Sequence, residues 1–193
     1  MKNKNKKSLF DLAESQQGYF TTQQAEECSY SRSNFKRFLS SGEWIKELRG
    51  VYRLARYPIQ DRPELVLWTL WSRNKKGIPQ GVWSHETALD IHDLTDMMPV
   101  KMHMTVPKTF RRNQKTPSAL FLHYEVLRSK DIQTRQGYFV TSPMKTLIDV
   151  ANNESIALDQ LELGVQQALK RGLITRKEIE RNPLAEILIR YIP

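Results

Sequence analysis

The chain has one cysteine, few glycines and no long apolar run, and these shortages exclude whole classes of protein. Cys28 is the only cysteine among 193 residues, so an intramolecular disulfide is impossible and a thiolate metal cluster is not expected. No stretch approaches the roughly 20 apolar residues of a membrane span, and no apolar signal core follows the N-terminal lysines. We therefore expect a protein of the reducing cytoplasm that has no membrane partner.

Motifs of catalysis are missing as well. The sequence contains no glycine-rich phosphate cradle, no nucleophile elbow and no kinase-like loop. A metal-dependent nuclease would need clustered carboxylates and a lysine at a strand edge, and no convincing set of these residues occurs. We predict that the chain is not an enzyme, with no catalytic residues, no metal ligands and no cofactor.

The histidines give the one local pattern that suggests a metal or acid-base site. On a single helix His85 and His92 share a side and Glu86 points the other way, so this carboxylate cannot join those histidines. His103 and His123 lie in predicted strands without a matching carboxylate pattern. We therefore expect the histidines to be satisfied core or surface residues.

The charge of the chain favours a polyanionic partner. There are 30 Lys and Arg residues against 21 Asp and Glu, a formal net charge of +9. Such an excess suits the phosphates of a nucleic acid, which release condensed counterions when protein cations bind.

Residues 8 to 57 predict a winged helix-turn-helix. A first helix ends at Gly18, Thr21 or Thr22 caps a second, and Ser31 caps a third. In the third helix an i, i+3, i+4 apolar stripe should be buried, and polar and basic residues should lie opposite it. The predicted buried residues are Phe35, Phe38 and Leu39. The predicted outer residues are Ser33, Lys36, Arg37 and Ser40.

The segment after Gly42 has the composition of a hairpin, with Arg49-Gly50 at its turn. A helix with a small, basic outer face followed by a basic hairpin suits the major groove and the neighbouring DNA backbone. The alternative is that the cations form a solvated surface only. The predicted DNA-binding residues are Arg32, Ser33, Lys36, Arg37 and Ser40 in the helix, and Lys46, Arg49 and Arg53 in the hairpin.

Beyond a proline-bounded linker, the order of elements predicts a second domain of α+β class. We predict a DNA-binding domain at residues 1–57 and an α+β domain at 58–193 with a helical end. Strands are expected at 101–106 and 119–125, with a hairpin at Gln136-Gly137. Ser142-Pro143 should begin one helix, and a Thr175/Glu178 capping box another. The tail after Pro183 either docks on the core or forms a helix that binds a partner.

A second basic patch lies in the loop between those two predicted strands. Its residues are Lys108, Arg111, Arg112 and Lys115. The loop is either a solvated segment or an additional phosphate contact.

Five segments in order resemble the AbiEi family of antitoxins from type IV toxin-antitoxin systems, which are linked to abortive phage infection in bacteria. The segments are Gly18–Ala25, Leu48–Leu54, Ser84–Leu89, Thr105–Pro107, and Val140–Pro143 with Thr146–Asp149. The resemblance implies a winged-helix repressor that binds inverted repeats of double-stranded DNA in the promoter of its own operon. It also implies a C-terminal domain that counters a nucleotidyltransferase-like toxin, without a stable complex between the two. A monomer in solution that binds DNA as two copies is compatible with it.

A competing hypothesis from another class is an interaction protein. In that case the C-terminal domain would neutralise a partner toxin by direct binding, and DNA binding would be weak.

Overall fold

A computed structural model describes residues 9–113 and 115–192. The outer limits of the two predicted domains, residues 1 and 193, therefore lie outside the described residues. The chain divides into two compact units. The first runs to Gly81 and adds Thr134–Tyr138, and the second comprises Val82–Gln133 and the segment from Phe139. The domain boundary predicted after residue 57 falls inside the first unit and stays a prediction.

The first helix, α1, covers residues 9–14 of the described chain and buries Leu9 and Ala13. The helix ends at Glu14, and a turn leads from there to Gly18, the predicted stop. The φ of Gly18 is +88°, and its amide donates to the carbonyl of Ala13 at 2.7 Å. A Cβ at this position would lie 2.6 Å from ring carbons of Tyr57. Both the backbone angle and the close approach therefore require glycine here.

Strand β1 (Tyr19–Thr21) leads directly into helix α2 (Thr22–Glu27). Thr21 rather than Thr22 is the cap. Its Oγ1 accepts from the amide of Gln24 at 3.2 Å, and the Gln24 side chain accepts from the amide of Thr21 at 2.8 Å. These reciprocal bonds form a capping box with glutamine in place of glutamate.

The predicted third helix begins as a 3₁₀ turn, Arg32–Asn34, and continues as α3 (Phe35–Ser40). Ser31 precedes the turn, but its side chain does not cap the backbone. Its hydroxyl lies 2.8 Å from that of Ser33 instead. The predicted side-chain cap at Ser31 is therefore wrong.

Strands β2 (Trp44–Leu48) and β3 (Val51–Leu54) form the predicted hairpin, and β1 completes an antiparallel sheet of order β1-β3-β2. Trp44 lies at the centre of the core beneath this sheet. Its ring stacks on Phe38 at 4.6 Å between centroids and meets Phe20 and Phe35 edge-on. The core thus joins the buried side of α3 to the sheet.

Helix α4 (Pro63–Trp71) begins at the predicted Pro63 and also belongs to the first unit. Its Val66 and Leu70 form one buried cluster with Tyr19 and Val51 of the sheet. The helix therefore covers the part of the sheet formed by β1 and β3.

Most of a sheet of order β6-β5-β4-β8-β7 lies in the second unit of the described residues, whereas Thr134–Tyr138, the turn between β7 and β8 with the adjoining strand ends, is grouped with the first unit. Strands β4 and β5 pair antiparallel, whereas β4 with β8 and β5 with β6 pair parallel. The turn between β7 and β8 is the predicted Gln136-Gly137. The strands are β4 (Val82–Trp83), β5 (Met102–Val106), β6 (Leu120–Tyr124), β7 (Ile132–Arg135) and β8 (Tyr138–Thr141).

Helices of this unit build one apolar cluster from α5 onward. Ser142 caps α6 by accepting from the amide of Lys145, and Thr175 caps α8 in the predicted capping box with Glu178. The helices are α5 (His85–Ile91), α6 (Pro143–Asn153), α7 (Leu158–Lys170) and α8 (Arg176–Arg181), and a 3₁₀ turn occupies Ser129–Asp131. The predicted α+β class is confirmed for the described residues.

The tail docks on this core, which was one of the two alternatives predicted for it. Its helix type differs from the predicted one. Pro183–Tyr191 is a 3₁₀ helix, whose period of three places Ala185, Leu188 and Tyr191 on the buried side. Leu184, which an α-helical period would bury, is exposed. No helix among the described residues has the length and hydrophobicity to cross a membrane.

The ring cluster around Trp44 gives a prediction for stability. We expect Trp44→Ala to lower the free energy of unfolding by about 3 to 5 kcal/mol, because it removes a buried ring and leaves a cavity. Urea unfolding followed by circular dichroism measures this change. Ile59→Ala, at a side chain that is 68% exposed, is the control and should stay within about 0.5 kcal/mol of the parent. Equal effects of the two substitutions would contradict the central role of Trp44.

Candidate nucleic-acid interface

The two sides of the third helical segment differ as predicted. Phe35 and Phe38 are buried and Leu39 is half-buried. The outer side of the segment is exposed at all its predicted contact residues: Arg32, Ser33, Lys36, Arg37 and Ser40. The aromatic core fixes which side faces outward, so the basic residues are available to a ligand of the first unit.

Both outer arginines, Arg32 and Arg37, contact a neighbouring side chain. The Nε of Arg32 lies 3.2 Å from a carboxylate oxygen of Glu26, and both side chains are well exposed. The guanidinium carbon of Arg37 lies 4.9 Å from the centre of the Phe38 ring. An exposed ion pair of this kind is worth little, and a guanidinium stacked on a ring keeps its outer N–H groups for other acceptors.

The hairpin adds two more exposed cations, Lys46 and Arg49. Lys46 pairs with Tyr52 and Leu48 with Val51, so Glu47 is an extra residue that makes a bulge. Arg49 lies in the two-residue turn beside Gly50, whose φ is +74°. The bulge and the turn set the direction in which these cations leave the sheet.

Arg53 departs from the predicted pattern. Its side chain is only 10% exposed, and its Nε donates to Glu47 Oε1 at 2.8 Å. Arg53 is thus neutralised inside the first unit, in the middle of strand β3, instead of projecting toward a ligand. We therefore leave Arg53 out of the proposed phosphate contacts.

The second basic patch lies in the second unit, between β5 and β6. Lys108, Arg111 and Lys115 are exposed, whereas Arg112 is half-buried, and burial lowers the pKa of its guanidinium. Arg111 donates to the carbonyl oxygens of Lys108 and Phe110, at 3.0 and 2.7 Å, which holds part of this loop in shape.

A cluster of histidines in the second unit was not anticipated from the sequence. Glu86 Oε2 lies 2.7 Å from His103 Nδ1, a contact that the sequence pattern does not indicate. His123 Nε2 lies 3.1 Å from the same nitrogen, and the His123 ring stacks on His85 at 3.5 Å. Parallel pairing of β5 with β6 next to α5 brings these residues together, and the periodicity of a single element cannot show such a contact.

The cluster has strongly shifted protonation equilibria. Burial, together with the other histidines, lowers the pKa of His85 to about 3 and that of His123 to about 4. Burial alone would raise the pKa of Glu86, but the contact with His103 and a backbone hydrogen bond lower it to about 2. His85 also has a positive φ of 52°. Within the described residues no group of His, Cys, Asp or Glu has the arrangement needed to hold a metal ion.

Two further polar side chains, His92 and Lys145, have partners within the second unit. His92 Nε2 lies 2.7 Å from the carbonyl oxygen of Thr141, which confirms the expected satisfied core histidine. Lys145 lies 2.7 Å from both Glu125 and Asp149. Burial raises the pKa of Asp149 to about 6, against the opposing effect of Lys145.

The comparisons with known proteins agree with the resemblance over part of the first unit. Residues 7–55 match the family model AbiEi_4, described as "Transcriptional regulator, AbiEi antitoxin", which confirms the resemblance for that segment. No curated protein matches the chain. The crystal structure of the RV2827C protein from Mycobacterium tuberculosis is similar, with a TM-score of 0.53 and 14% identity. The match covers 98% of this chain and 77% of that one, and at this identity it shows a shared fold alone.

The histidine cluster predicts a loss of stability in mild acid. The folded pKa values of His85 and His123 lie below the unfolded value near 6.5, so the unfolded state binds more protons as the pH falls from 6.5 toward 4. Asp149 acts in the opposite direction, because its raised pKa adds stability as the pH falls through about 6. Glu86, with a folded pKa of about 2, loses its stabilising effect only below about pH 4.5.

We expect His123→Gln to lose less stability than the parent between pH 7 and pH 5, since one of the neutral buried imidazoles is gone. Urea midpoints at the two pH values measure the difference, with Asp149→Asn as the opposite case, which should lose more than the parent. Identical losses in all three proteins would show that these groups do not control the acid response.

Proposed function

We propose that this chain, whose residues 7–55 match the AbiEi antitoxin regulators, is a DNA-binding antitoxin of a type IV toxin-antitoxin system. It acts in the bacterial cytoplasm and represses its own operon by binding inverted repeats in the promoter. Its first unit is a winged helix-turn-helix, in which the 3₁₀ turn and α3 form the recognition helix and β2–β3 the wing. It is a regulator and not an enzyme.

One observation supports this proposal above the others. The cations of the recognition helix are exposed while its aromatic side chains are buried, and the cations of the wing are exposed in the same unit. A helix and a wing with outward cations provide groove and backbone contacts at once, which is what sequence-specific binding of a duplex requires. The proposal depends on the exposure of Lys36 and Arg37.

The contacts divide by side-chain chemistry. Arg37 is suited to a guanine edge, where a guanidinium makes two hydrogen bonds. Ser33, Lys36 and Ser40 line the same side, and Arg32, at the start of the segment, is suited to a phosphate or a base. Lys46 and Arg49 bind phosphates from the wing. In the second unit Lys108, Arg111 and Lys115 are further phosphate contacts, with a smaller part for the half-buried Arg112.

The antitoxin role extends from the resemblance to the second unit. We infer that this unit counters a nucleotidyltransferase-like toxin encoded in the same operon, without forming a stable complex with it. Two copies of the chain occupy one inverted repeat, because half-sites related by a twofold axis call for two copies of the same surface.

A second candidate function is direct neutralisation of the toxin by the second unit. It is favoured by exposed apolar side chains on and after the edge strand β6, namely Phe121, Tyr124 and Val126. Exposed apolar groups at a sheet edge are typical of protein contacts. We expect no complex with the product of the adjacent reading frame when the two are co-expressed and purified in high salt. A stoichiometric complex that survives would favour direct neutralisation.

Base and backbone contacts should respond differently to mutation. We expect Arg37→Ala to lose about 1 to 3 kcal/mol of affinity for the operator and to discriminate less against an unrelated duplex. Lys46→Ala should weaken binding to both duplexes alike, and should reduce the slope of log affinity against log salt by about 1.

Fluorescence anisotropy with the upstream region and a scrambled duplex, over a salt series, measures both effects. Lys177→Ala, which removes an exposed cation from α8, is the matched control and should bind as the parent does. The proposal is wrong if the parent has no preference for the upstream duplex, or if Arg37→Ala leaves that preference intact.

A further inference from the structure

The wing of this protein is very short, and a neighbouring segment of the first unit is built against it. The turn between β2 and β3 consists of Arg49 and Gly50 alone. The carbonyl oxygen of Gly50 accepts from the amide of Thr22 at 3.1 Å and from Arg73 Nη2, also at 3.1 Å. Arg73 follows helix α4, so the end of that helix and the start of α2 both hold the wing turn.

A side chain at Gly50 would displace the end of Arg73, and the positive φ of +74° also favours glycine here. A Cβ at Gly50 would lie 2.8 Å from Arg73 Nη2 and 3.3 Å from Thr22 Oγ1. Arg73 is itself oriented by a second bond, from Nη1 to the carbonyl of Leu70 at 2.7 Å. The two terminal nitrogens of the Arg73 guanidinium therefore connect the end of α4 to the wing by hydrogen bonds.

The residues that follow Arg73 form a tight, internally bonded turn. Asn74 Oδ1 accepts from the amides of Lys76 and Ile78, at 2.9 and 3.1 Å, and the Asn74 amide donates to the carbonyl of Ile78 at 2.8 Å. An asparagine that bonds amides two and four residues ahead fixes the turn without help from other elements. The turn presents two exposed cations in sequence, Lys75 and Lys76.

The same turn is also attached to helix α2. Gln23 Nε2 lies 3.4 Å from the carbonyl oxygen of Lys76 and 3.0 Å from Glu27. A Cβ at Gly77 would lie 2.6 Å from Gln23 Oε1, so the backbone packs directly on that side chain. The side-chain amide of Gln23 thus lies between the carboxylate of Glu27 and the carbonyl of Lys76. The turn is thus held from α2 as well as from the wing.

We propose that Lys75 and Lys76 form a second, backbone-binding wing beside Arg49, and that their ligand is the phosphate backbone of the same DNA duplex. This inference rests on the proposed function, because it extends the DNA surface of the first unit beyond the hairpin. A two-residue wing offers one cation at its tip, and the adjoining turn adds two on a backbone that hydrogen bonds already hold. A backbone that is ordered before binding reduces the loss of conformational entropy when its side chains bind phosphates.

The expected signature is electrostatic and independent of sequence. In the double variant Lys75→Gln/Lys76→Gln, affinity should fall equally for the upstream duplex and for a scrambled one. Each lost phosphate contact reduces the slope of log affinity against log salt by about 0.9. Between 50 and 200 mM salt the affinity of the double variant should therefore fall about tenfold less than that of the parent.

The control removes the same charge elsewhere. Lys170→Gln/Lys177→Gln deletes two exposed cations of the second unit and should keep the salt slope of the parent. If the double variant at 75 and 76 keeps that slope while Arg37→Ala loses sequence preference, the second wing is wrong and the proposed function stands. If the parent itself shows no preference for the upstream duplex, the proposed function fails before this comparison is reached. A loss confined to the upstream duplex would also overturn the inference, because it would indicate base contacts.

Discussion

The aromatic cluster around Trp44 is the constraint on which the proposed DNA-binding surface depends. Trp44 opens strand β2 and contacts the rings of Phe35 and Phe38 on α3, so one residue connects the helix to the hairpin. Because the buried side of α3 is fixed by these rings, its opposite side must carry Lys36 and Arg37 outward. The helix and the hairpin therefore share one core.

Local signals in the sequence were sufficient for much of this architecture. The cap at Thr21 or Thr22, the stripe of Phe35 and Phe38, and the Gln136-Gly137 turn each depend on residues within a few positions of one another. Such patterns report backbone geometry directly, and they predict many elements of both units, although not strand β1. The 3₁₀ form of the tail was missed because its buried period differs by less than one residue from that of an α-helix.

Contacts between distant segments could not be obtained in this way. The sequence predicts that Arg53 contacts DNA because it lies in a basic hairpin, but an inserted Glu47 in the opposite strand neutralises it. The pairing of His103 with Glu86 depends on which strand lies next to α5. Strand order and register decide both cases. Neither is contained in the periodicity of one element.

The same distinction governs how the net charge of +9 should be understood. A cation contributes to the release of counterions from DNA only if its charge is exposed and not already balanced by a carboxylate. Arg53 and Lys145 are held by carboxylates inside their units, so they add to the formal charge without adding to a DNA surface. The first unit by itself has several exposed cations, among them Lys36, Lys46, Arg49, Lys75 and Lys76. The proposed affinity for a duplex thus depends on where the fold places its cations, and the total charge of the chain overstates the number of cations available for it.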